Sequence, residues 1–161
     1  MTRRYVLVLS VLAVAGAACN GQTDELSREA QVYAATIREV VRHQPPRPDD
    51  PDALPVVYVV AVGETTIAAD VQAEVATELR DEVDVQFADE RDEAVDEDVE
   101  DAPVLDEGVL IAVGELPPDT DPVSMEVEVY RSERDVSKAV FSFAADSSNW
   151  VVTSSSLLPE S

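Results

Sequence analysis

"PVVYVVAVGETTIAADVQAEVATELRDEVDVQF", residues 55 to 87, changes its hydrophobic period twice. Val56 to Val62 is a continuous, mostly β-branched apolar run bounded by Pro55 and Gly63, the pattern of a strand covered on both faces. Ile67, Val71, Val75 and Leu79 then recur every fourth residue, which predicts a helix with Thr65 or Thr66 as its cap. Val83, Val85 and Phe87 alternate with polar residues and predict a second strand. Strand, helix and strand within this span predict a right-handed βαβ crossover.

Working outward, Asp24 to His43 carries Leu26, Ala30, Tyr33, Ala34, Ile37, Val40 and Val41 at helical spacing, with charged residues between them. Thr23 or Asp24 is the expected cap, and Pro45-Pro46 stop the helix. Residues 45–55 form a proline-rich connector. Downstream, "GVLIAVG" (108–114) reads as another buried strand, and Met125, Val127 and Val129 as a strand with one wet face. "AVFSFAA", "DSSN" and "WVVTSSSLL" read as strand, turn and strand. The prediction is a single α+β domain over 24–161: two helices packed on a largely antiparallel sheet of about five to six strands. Tyr58, Phe141, Phe143 and Trp150 lie within strand patterns and are expected in the core, although an exposed Trp150 would point to a ligand surface.

Residues 1–18 have a basic start (Arg3, Arg4), an apolar stretch and small residues, the layout of a signal peptide. Arg3-Arg4-Tyr5-Val6-Leu7 fits plain export or a twin-arginine route. Ala15-Gly16-Ala17-Ala18-Cys19 resembles the bacterial lipobox, with Gly16 departing from the usual larger aliphatic residue. That resemblance implies diacylglycerol and palmitate on Cys19, which would become the N-terminus of a lipoprotein. Cys19 is the single cysteine, so no disulfide forms within the chain. Residues 19–23 would be anchor and tether, reaching roughly 15 Å and keeping the domain close to the membrane.

The net charge is −23, and the basic residues are ten arginines and Lys138. Such a surface repels nucleic acid and anionic headgroups, and its self-repulsion should be relieved by salt. A saline habitat or a GC-rich codon bias would each account for scarce lysine.

The acidic loop, 88–107, holds Asp96, Asp98, Glu100 and Glu107 at positions 1, 3, 5 and 12 of a calcium-loop count. Asp101 stands where that loop turns on glycine, and Pro103 where a small strand pair would want an N–H. These four are weak metal candidates, and a solvated connector is the expected role of the run. His43, the only histidine, sits at the first helix C-terminus, where an imidazolium would meet the helix dipole. Ser137 and Lys138 are adjacent in a strand and so face opposite ways, which argues against a Ser-Lys dyad. No serine lies in a Gly-x-Ser-x-Gly elbow, and the glycines form no phosphate-cradling loop. The residues name no catalytic group, no cofactor and no nucleic-acid partner.

In the order of "VYAATIREVV", the proline-rich link, "PVVYVV", "GVLIAVG" and "NWVVTSS", the chain resembles small secreted proteins and lipoproteins of high-GC Gram-positive bacteria. The resemblance implies an α+β domain and brings no catalytic residues. The expected protein is an acidic lipoprotein on the extracytoplasmic side of the cell membrane. It would be a non-enzymatic binding or envelope-accessory domain with an envelope protein as partner. An envelope hydrolase using dispersed carboxylates and a low-affinity cation-binding module are the alternatives.

Overall fold

Val57 and Val59 point to one side of strand β1 (Val56–Ala61), and Tyr58 and Val60 to the other; all four are buried. A strand with two buried faces must lie inside a sheet, and in this computed structural model β1 pairs in parallel with β2 (Asp84–Phe87) and β3 (Val109–Val113). The structure describes residues 26–46, 53–63, 65–117, 122–147 and 149–158. The leader, the tether and most of the proline-rich connector lie outside them.

Between β1 and β2 runs α2 (Ala69–Leu79), whose Val71, Val75 and Leu79 are buried as their spacing predicts. Its start differs from the sequence expectation. Neither Thr65 nor Thr66 caps it; the N-cap is Ala68, and Asp70 in the first turn accepts from the Val71 amide at 3.0 Å. A carboxylate there also meets the positive end of the helix dipole. Similarly α1 (Arg28–His43) begins after Ser27, whose hydroxyl accepts from the Ala30 amide, and not at Thr23 or Asp24, which lie outside the described residues. The Ser27 amide donates to Glu74 at 2.8 Å, tying the start of α1 to α2.

Strands β4 (Val123–Ser132), β5 (Asp135–Asp146) and β6 (Asn149–Leu157) follow as antiparallel hairpins. The sheet has six strands in the order β2-β1-β3-β4-β5-β6, mostly antiparallel, and the fold is α+β. Both helices cover one face, against Val57, Val59, Ile111, Met125 and Phe143.

The second face is covered differently. The connection from β2 to β3 passes back over β1, so it crosses the sheet in the direction opposite to α2. Keeping the same hand then requires the opposite face. Residues 88–108 take that route, through 3₁₀ turns at Arg91–Ala94 and Leu105–Glu107, and bury Ala94, Val95 and Val104 against Tyr58, Val60, Leu110 and Tyr130. Most of the acids are exposed, as expected of a solvated connector, while this apolar trio makes the run a second crossover. Val95 and Val104 form a small bridge in which Pro103 supplies its carbonyl to the Asp96 amide at 2.9 Å, so its missing N–H is no obstacle. Gly108 closes the passage: a Cβ there would sit 2.9 Å from the Val56 carbonyl oxygen and 3.0 Å from that of Leu105.

Candidate binding groove

Gln31, Ala35, Arg38 and Arg42 recur along α1 on a face that overhangs the start of β6, and the two elements enclose a groove of about 290 Å³. Small side chains at Ala34 and Ala35 leave the space, and Trp150 stands beside them. Trp150 is only half-buried, packed on the edge of the core. Its amide donates to the Gln31 Oε1 at 3.0 Å, and the Arg28 guanidinium lies 5.0 Å from the ring, within cation–π range. Because the Trp150 N–H points to a side chain of α1 and not to β5, the groove runs along the free edge of the sheet.

Glu78 of α2 forms the far wall. Arg38 bridges it at 2.9 Å to Glu82, which takes two guanidinium nitrogens. The hydrogen bond donated to Glu82, chiefly, pushes the Arg38 pKa up, and the same bond holds the Glu82 carboxyl below the ordinary carboxylate range. Glu39 pairs with both Arg42 and His43 at 3.0 Å. The two acids lining the groove are thus each held by an arginine, and the wall offers alternating charge above an aromatic floor.

Cys19 lies outside the described residues. The four calcium-count residues are not brought together. Asp96 Oδ1 accepts from the Asp98 amide at 3.2 Å, Glu100 faces Arg134 at 3.7 Å, and Glu107 ends a 3₁₀ turn with a φ of 52°. Among the described residues no three His, Cys, Asp or Glu side chains converge on a metal-sized site. His43 ends α1, as its sequence position predicts, and pairs with Glu39. Ser137 accepts from Gln44 on the helix side, whereas Lys138 pairs with Glu128 at 2.9 Å on the other face, so the adjacent pair forms no dyad.

On the crossover face, Tyr58 donates to Asp106 at 2.8 Å, and burial, then that carboxylate, pushes its hydroxyl up to about 12. Arg91 stacks 3.6 Å from the Tyr130 ring and shares Glu128 with Lys138. Asp101 and Ala102 have φ values of 74° and 38°, a left-handed stretch held where Asp101 accepts from the Glu133 and Arg134 amides of the β4–β5 turn. These contacts clamp the crossover onto the sheet.

Gln31, Arg38 and Glu78 were not legible as a site, because on a sequence they are three polar positions of two amphipathic helices. Trp150 carried the one available signal, as the single tryptophan at a strand start. No protein-family model, curated protein or solved structure matches the chain.

Proposed function

We propose that this protein is a lipoprotein, exported by residues 1–18 and anchored through lipid on Cys19 to the extracytoplasmic side of the cell membrane. Its domain is a non-enzymatic binding or envelope-accessory module, and its partner enters the groove between α1 and β6. The observation that carries the binding role is the groove itself, where a half-buried tryptophan, arginines of α1 and the sheet edge meet. The nucleophilic and titratable groups that the sequence offers for chemistry support it further. His43, Ser137 and Lys138 are each engaged in structural pairs. The address rests on the lipobox-like residues around the single cysteine.

Mass spectrometry of the native N-terminus tests the address: a lipid-modified Cys19 is expected, and an unmodified leader or a chain cut elsewhere refutes it. Crosslinking in intact membranes, followed by Trp150 fluorescence with the captured partner, tests the groove. Trp150→Ala should lose that partner while the fold is kept. A defined turnover by the purified protein, abolished by changing one residue, would overturn the non-enzymatic reading.

A further inference from the structure

The two edges of the sheet are built in opposite ways. β2 is four residues long, with Asp84 and Gln86 exposed. β6 runs for nine residues, and from Asn149 to Leu158 carries no ionisable side chain, in a chain of net charge −23. Exposed edges are ordinarily kept from pairing by shortness, charge or bulges. β6 is long and uncharged, and its bulge, at Thr153, lies before the stretch Ser154–Leu158. Thr153 to Leu157 is exposed throughout, and Leu157, at 75%, is the most exposed large apolar side chain among the described residues. The Leu158 amide donates to the Lys138 carbonyl, so the alternation of an antiparallel ladder turns the main-chain groups of Ser155 and Leu157 away from β5, toward open solvent.

We propose that β6 pairs with β6 of a second copy of this chain, antiparallel about a two-fold axis at Ser156. Ser155 of each copy then lies opposite Leu157 of the other and exchanges both main-chain hydrogen bonds with it. Charge selects where a second copy can approach. Two chains this acidic repel almost everywhere, and the uncharged edge is a place where they meet without like charges opposed. A run of serines also offers no side-chain pockets to select a foreign strand, whereas self-pairing needs only main-chain bonds and symmetry. The two-fold is normal to the sheet, so both helix layers stay on one side of a continuous twelve-stranded sheet. The pairing uses Ser154–Leu158 and leaves the groove at Asn149–Val152 open, so it stands or falls separately from the groove.

The test is oxidative crosslinking of the full chain carrying Cys19→Ser and one new thiol. Ser156→Cys should form a covalent dimer, because residues on the two-fold sit about 4.5 Å apart at Cα, within disulfide reach. Val99→Cys, on the crossover, should not. Leu157→Lys added to Ser156→Cys should abolish the dimer without changing far-UV circular dichroism. Sedimentation of the unsubstituted chain supplies a measure free of variants: its association constant should rise about tenfold or more between about 0.1 M and about 2 M NaCl, as like-charge repulsion is screened. Equal crosslinking at Ser156→Cys and Val99→Cys overturns the proposal. So does a monomer at both salt concentrations, or a Ser156→Cys adduct formed only with a different protein.

Discussion

Val95 and Val99 lie four residues apart in the same acidic run, and replacing each with alanine separates a crossover from a connector. Val95 is 7% exposed and packs with Ala94 and Val104 against the second face of the sheet; Val99 is 48% exposed. Val→Ala removes two carbon atoms, worth about 1.6 kcal/mol of transfer free energy at roughly 0.8 kcal/mol per buried group, and the residual cavity brings the cost to about 2 kcal/mol. For a domain of this size each kcal/mol lowers Tm by about 3–4 °C, so Val95→Ala should melt about 7 °C below the parent. Val99→Ala should fall within about 0.5 kcal/mol of it, since half-exposed valine has little transfer energy to lose. Thermal unfolding followed by circular dichroism, with urea titration for the free energies, reads both. If the two variants melt together, the run is not packed on the sheet and the argument from crossover hand fails with it.

Tyr58 makes alkaline stability predictable. Its hydroxyl is pushed up to about 12, so the folded state favours the protonated form. That contribution is complete below about pH 10, the unfolded value, and is lost as pH rises through the folded one, by at most about 3 kcal/mol. Tyr58→Phe should flatten the fall in urea midpoint between about pH 10 and 12; an unchanged slope refutes the assignment. At the acid end, Glu82 is held low by Arg38, so its contribution is present above the ordinary carboxylate range and lost as pH falls through the depressed value. Both partners are partly exposed, at 36% and 49%, so Glu82→Gln should cost less than about 1 kcal/mol at pH 7 and progressively less as pH falls through the depressed value. Finally, stability should rise from low to molar NaCl, because a charge of −23 opposes the compact state. Unfolding midpoints that stay flat with salt would remove both that expectation and the saline reading of the composition.

The parts of the fold legible in the sequence were those where one periodicity has one physical solution. A continuous apolar, mostly β-branched run such as Val56–Ala61 can bury both faces only inside a sheet, and Val71, Val75 and Leu79 can meet only on a helix, with Ile67 just before its start. Capping was less legible, since Thr23, Asp24, Thr65 and Thr66 are good caps by residue type. The helices begin later, where Ser27 also reaches Glu74 and Asp70 takes an amide of its own first turn. The acidic run was hardest. Its buried apolar residues, Ala94, Val95 and Val104, are too few and too widely spaced to set a period, and nine carboxylates between Asp89 and Asp101 dominate the composition.

What places that run is topology. Once β2 and β3 both flank β1 in parallel, the chain must cross back over a strand whose Tyr58 and Val60 need cover, and three small apolar residues suffice if clamps hold them there. Tyr58 on Asp106, Tyr130 on the Ala102 carbonyl and Arg91 on Tyr130 are those clamps. Most of the carboxylates face outward because the apolar sheet beneath could not solvate them. The charge of the expected solvated connector is therefore the wet side of a structural element. The uncharged edge of β6, which looked like an ordinary hairpin arm, is where two such molecules can approach.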